Sequence, residues 1–181
     1  FQMQFITNGP EIPDSLLHAH EEGQVVFFCG AGISYPAGLP GYEGLVKEIY
    51  KRLGTSFNDL EETAMDNGQY DVALNLLEQR IPGQRFAVRK ALAQILKPKL
   101  RSKGAKEMQM ALLQLARNRE GALRLVTTNF DRIFEHVIKQ TKQSCCVYSA
   151  PLLPIPKNNR WNGLVHLHGL LPVSPDESAL N

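Results

Sequence analysis

The sequence predicts an α/β fold built on a parallel sheet, and three stretches predict it. Val25-Val26-Phe27-Phe28-Cys29 is uninterruptedly apolar and breaks into Gly30-Ala31-Gly32. A second run, 122–127 (ALRLVT), ends in the polar string Thr127-Thr128-Asn129-Phe130-Asp131. A third, 163–166, runs into Leu167-His168-Gly169. Short apolar runs bounded by turn residues read as strands buried on both faces, and such strands belong to parallel sheets. Helical patterns lie between them, which is the alternation an α/β chain requires.

Size and composition agree with this class. At 181 residues the chain fits one domain with a real core. Hydrophobic content of 43% and charged content of 21% are those of an ordinary globular protein. A formal net charge of +2 is too small to argue for nucleic acid or an acidic membrane surface. No stretch reaches the roughly 18 apolar residues of a membrane span. The chain starts at Phe1, without a basic segment followed by an apolar one, so no secretory signal is read. It reads as a piece of something longer. Cys145 and Cys146 are adjacent, the wrong spacing for a metal knuckle, and Cys29 sits in an apolar run. All three are expected to be buried thiols in a reducing, cytoplasmic compartment.

Taken in order, residues 1–23 form an entry segment. Pro13-Asp14-Ser15 starts a short helix and Gly23 stops it. His18 and His20, two apart, fall on different sides of that helix and read as surface residues. The first strand follows, then the glycine loop. Bare backbone N–H groups there, with a positive helix end behind them, suit an anion such as a pyrophosphate. The third glycine of G-x-G-x-x-G is replaced by Tyr35, so on this stretch alone a tight turn remains equally open.

A helix is expected over 42–53, with Leu45, Val46, Ile49, Tyr50 and Leu53 at helical spacing and Gly54 as its C-cap. From 55 to 119 the pattern stays helical. Asn58 and Glu61 resemble a capping box, and Gly68, Gly83 and Gly104 punctuate further segments. Basic residues from Arg80 to Lys103 read as solvated faces rather than a phosphate patch. This stretch, 55–119, is expected to be a helical insertion in a domain spanning 1–181.

The sheet resumes at 122–127, followed by a helix over 133–139. Asn129 and Asp131 stand at a carboxyl strand end, where open α/β sheets bind ligands. Either one also suits a helix N-cap, the preferred reading on spacing alone. A short strand is expected at 144–148, a Pro- and Asn-rich loop at 150–162, and a last strand at 163–166. If that strand continued, His166 and His168 would point the same way, one as ligand or base and the other as packed neighbour. Histidine suits proton transfer because it titrates near working pH.

Four motifs occur together and in order: Gly30-Ala31-Gly32-Ile33-Ser34, Ala37-Gly38-Leu39-Pro40, Thr127-Thr128-Asn129-Phe130-Asp131 and Leu167-His168-Gly169. Together they resemble the sirtuin family, over most of the chain. The resemblance implies a Rossmann-like parallel sheet with NAD as substrate. Gly30, Ala31, Gly32 and Ser34 would cradle its phosphates, and Pro40, Tyr42, Thr127 and Thr128 would line the same site. Asn129 and Asp131 would hold the nicotinamide ribose, the carboxamide or the attacking water, and His168 would be the general base. The bond cleaved joins nicotinamide to ribose through a positively charged sugar, which an amide oxygen and a carboxylate stabilise.

Departures from the family narrow the reaction. Lysine deacylases of the family read Pro-Asp-Phe-Arg where Pro40-Gly41-Tyr42-Glu43 stands, and carry a zinc ribbon soon after the His-Gly. Leu170 onward contains no cysteine, so no metal is expected. The chain looks like the sirtuin-like domains of bacterial antiphage defence proteins. That implies an NAD hydrolase governed by C-terminal sensor or effector domains of a multidomain protein, with homo-oligomers common in the group. No nucleic-acid or membrane partner is expected. The family's later strands, with their Gly-Thr-Ser segment, are missing, so the sheet is expected to be truncated at its C-terminus. The alternatives are an NAD-dependent deacylase or ADP-ribosyltransferase, and a non-catalytic NAD or ADP-ribose sensor. The second is disfavoured because binding alone needs neither Asn129 nor His168.

Overall fold

The structure, a computed structural model, describes residues 2–80, 83–154 and 161–171. They form two compact units. One comprises Phe1–Gly30, Glu107–Asn129 and Phe134–Leu170; the other comprises Ala31–Lys106, Phe130–Ile133 and Leu171–Asn181.

The first unit contains the parallel sheet. β1 (Gln2–Gln4) and β2 (Glu11–Pro13) make an antiparallel hairpin ahead of α1 (Asp14–Glu21). Residues 1–5 alternate apolar and polar, the signal of a strand, so this hairpin adds to the single helix expected over 1–23. β3 (Phe27–Cys29), β4 (Arg124–Thr127), β5 (Val147–Ser149) and β6 (Gly163–His166) pair in the order β3-β4-β6-β5, every neighbour parallel. α6 (Glu107–Leu115) precedes β4, and α7 (Ile133–Thr141) carries the chain from β4 to β5. Leu113, Leu123, Leu125, Phe134, Val137, Leu164 and Val165 are among the buried apolar residues of this unit.

The sheet corrects one expectation about the first strand. β3 lies at the sheet edge, and Phe28 is 63% exposed while Cys29 is buried. The strand is therefore covered on one face only. Hydrophobicity alone could not reveal this, because an edge strand and a central strand can carry the same apolar letters. The cysteines need a correction too: Cys29 is buried, but Cys146 is exposed and Cys145 only partly covered. The thiol of Cys145 is raised above its usual value mainly by burial.

The second unit is helical: α2 (Tyr42–Leu53), α3 (Asp59–Asp66), α4 (Tyr70–Arg80) and α5 (Gln84–Ile95). α2 runs over the residues its periodicity predicts and ends at Gly54, whose φ of 63° is left-handed and would strain a side chain there. α3 opens with the full capping box: Glu61 N–H donates to Asn58 Oδ1 and Asn58 N–H to Glu61 Oε2, both at 2.9 Å. Leu45, Val46, Ile49, Tyr50, Ala73, Leu77 and Val88 form one buried cluster. Each fully buried aliphatic side chain contributes about 2 kcal/mol. The helical stretch expected at 55–119 is thus shared: α3 to α5 join α2, while α6 belongs with the sheet. Of the basic residues, Arg80 pairs with Glu61, and Arg85 and Arg89 with Glu78.

The proline-rich loop lies outside the described residues at 155–160, as does the cysteine-free stretch from 172. Among the described residues no helix is long and apolar enough to cross a membrane.

Candidate functional site

Parallel pairing brings the carboxyl ends of three strands level. Cys29, Thr127 and His166 stand side by side across β3, β4 and β6. One residue further, the Thr128 N–H donates to Cys29 O at 3.1 Å and the Leu167 N–H to Thr127 O at 2.9 Å. A Cβ built on Gly30 would stand 3.5 Å from Thr128 Oγ1. Gly30, Thr128, Asn129 and His168 thus gather at one edge of the sheet, although they come from three separate stretches of sequence.

Asn129 is nearly buried, at 8% exposure, and its main chain leaves the sheet ladder. Its N–H donates to Thr127 Oγ1 at 3.1 Å, and its carbonyl accepts from His166 Nδ1 at 3.1 Å. His166 is wholly buried, and its Nε2 lies 2.6 Å from Glu135 Oε1 on α7. The strand ends at His166, and a turn closed by the Gly169 N–H on His166 O at 3.3 Å carries His168 out to an exposed position. The two histidines therefore divide the roles that strand alternation left open: His166 is the packed neighbour and His168 faces solvent. Glu135 was missed by sequence reasoning, because its partner lies on another element and no motif links them.

The other predicted residues lie in the helical unit. Residues Ala31–Ala37 form a short 3-10 helix, and α2 starts only at Tyr42. The glycine pair is therefore not backed directly by the positive end of an α-helix, as the sequence suggested. Gly32 is exposed, has an ordinary backbone conformation, and a Cβ on it would meet nothing within 4 Å. The fold itself therefore does not require a glycine there. Ser34 is buried and donates to Asp131 Oδ2 at 2.8 Å. Asp131 Oδ1 accepts the Ile133 N–H at 3.0 Å, opening α7. Asp131 thus takes the helix-starting role that spacing favoured. Pro40 is partly covered and Tyr42 exposed, with the Tyr42 ring 5.6 Å from that of Tyr70. Desolvation of the covered part of its ring first, then the Asp71 carboxylate, raise the Tyr42 phenol above its ordinary value.

Residues 123–180 match the SIR2-like domain family. An uncharacterized protein, y4cA, of Sinorhizobium fredii (strain NBRC 101917 / NGR234) is 32% identical over 167 residues, covering 90% of this chain. The chain spans about 14% of that relative's length. No solved structure matches. The resemblance of the motifs to sirtuin-like domains thus has a family match beside it, over residues 123–180.

Proposed function

We propose that this sirtuin-like chain is an NAD+ hydrolase, releasing nicotinamide and ADP-ribose. The observation that carries the reading is that Asn129 and His168 each follow the carboxyl end of one of two neighbouring parallel strands. One is nearly buried and held by its main chain, the other exposed to solvent. In the reaction the C1′–N1 bond breaks and its electron pair leaves with the nicotinamide ring, neutralising that nitrogen. Water bonds to C1′, and its proton passes to His168. The Asn129 side-chain oxygen stabilises the developing charge on the sugar at a site shielded from most solvent. An exposed imidazole suits the base, because it must meet water and return its proton to bulk.

The chain's likeness to sirtuin-like domains of antiphage defence proteins supports NAD depletion as the biological outcome. Further domains of a longer protein would supply control. The replacement of Pro-Asp-Phe-Arg by Pro40-Gly41-Tyr42-Glu43 favours hydrolysis over deacylation.

The test is incubation of the protein with NAD and chromatographic separation of nicotinamide, ADP-ribose and cyclic ADP-ribose, with His168→Ala alongside. Nicotinamide plus ADP-ribose, lost in the variant, is the expected result. Nicotinamide released only after an acylated peptide or acceptor protein is added would replace hydrolysis with transfer. Intact NAD that still binds would replace it with sensing.

A further inference from the structure

We infer that Glu135 and His166 form a proton-holding clamp that positions Asn129, an inference that rests on the hydrolase reading above. The clamp begins with the main chain of Asn129. Its two polar groups are held by side chains that stand next to each other in the sheet, Thr127 and His166. Thr127 Oγ1 accepts the N–H, and His166 Nδ1 must donate to the C=O, because a carbonyl oxygen is an acceptor only. With both groups fixed, the direction in which the Asn129 side chain leaves the backbone is fixed as well.

The chemistry of His166 makes this a two-proton arrangement. Nδ1 needs a proton to reach Asn129 O at 3.1 Å, and a second proton must lie between Nε2 and Glu135 Oε1 at 2.6 Å. A neutral imidazole beside an ionised Glu135 would put its one proton on Nε2 and turn a bare lone pair toward the Asn129 carbonyl. The clamp would then open. Glu135 is suited to retaining the extra proton: its Oε2 is buried without a hydrogen-bond partner among the described residues, so the carboxylate depends on the imidazolium for compensation. The Glu135 charge also reaches the Cys145 thiol just before β5, on which Arg117, just after α6, and Cys146 act as well. Glu135 and His166 are positioning residues: neither is assigned contact with the reacting atoms.

The clamp makes its own test. The 15N signals of the His166 ring and the carbonyl 13C signal of Asn129 are followed against pH in the protein without NAD. Both ring nitrogens should be protonated at neutral pH, and the Asn129 carbonyl signal should move as the second proton is lost at higher pH. In Glu135→Gln the amide can turn its NH2 to Nε2, leaving a neutral ring with Nδ1–H on Asn129. The carbonyl signal should then become independent of pH. His166→Phe keeps a buried ring but removes the donor; kcat for NAD cleavage should fall by about tenfold to a hundredfold, with KM changed much less.

A neutral ring with bare Nδ1 at pH 7 would overturn the inference. So would an Asn129 carbonyl signal unaffected by His166→Phe, or a kcat within twofold of the parent. If the parent protein cleaves no NAD, the hydrolase reading falls, and the two NMR signals alone decide the clamp.

Discussion

Ser34 Oγ donates to Asp131 Oδ2 at 2.8 Å, joining the end of the glycine-containing loop to the start of α7 across 97 positions of sequence. Both residues close motifs of the chain, Ser34 the Gly30–Ser34 stretch and Asp131 the Thr127–Asp131 stretch. Their shared hydrogen bond gives each a structural duty beside any part in chemistry.

That duty can be separated from chemistry. Asp131→Ala removes the acceptor for Ser34 and for the Ile133 N–H, and should cost about 2–3 kcal/mol in denaturant unfolding. Asp131→Asn keeps an oxygen for Ile133 and an NH2 for Ser34, and should cost less than about 1 kcal/mol. If Asp131 also serves the reaction, the Asn variant will fold and yet lose NAD cleavage. Full cleavage in that variant would confine Asp131 to its structural part.

Asn129→Ala and His168→Ala should each abolish nicotinamide release while melting as the parent does. Full activity in either would undo its catalytic assignment.

Gly32→Ala should leave stability within about 0.5 kcal/mol of the parent, because its Cβ would enter open space. The same methyl should raise KM for NAD if phosphate approaches there. Gly38 behaves oppositely. With φ at +77° and Lys99 Cδ 3.2 Å from a built Cβ, Gly38→Ala should destabilise by about 1 kcal/mol or more.

The helical unit carries a pH signature at its alkaline end. Tyr50 is buried, and desolvation, followed by the Glu61 charge, pushes its phenol far above the ordinary value. Its hydroxyl donates to Ala73 O at 3.1 Å. Folding therefore favours the protonated phenol. Its contribution is fully present below pH about 10 and is lost as pH rises further, at up to about 1.4 kcal/mol per pH unit. Tyr50→Phe should flatten that part of the stability curve. An unchanged slope would mean that another group is responsible.

Glu61 is wholly buried, with Arg80 Nη1 3.2 Å from its Oε2. Glu61→Ala would leave that guanidinium without its buried carboxylate and α3 without its capping box. A loss of about 3 kcal/mol is expected, and a loss below about 1 kcal/mol would show the pair to be dispensable.

Elements whose signals are local were legible in the sequence. Helical spacing and Gly54 set α2, Asn58 and Glu61 set the start of α3, and the run before His166 set β6. The order of the motifs likewise pointed to the family and placed Asn129 and His168 at strand ends. Tertiary structure decided what depends on distant partners. Among the described residues β3 pairs with β4 alone and so stands at the sheet edge, and its face carrying Phe28 is left exposed despite the apolar neighbours. His166 and His168, equivalent by strand alternation, separated because the strand stops at the first of them. Glu135 then drew that histidine inward from α7, 31 residues away. Hydrophobic periodicity encodes which side of an element is apolar, but not which strand becomes its neighbour or which charge waits across the packing. Those depend on where the chain closes upon itself.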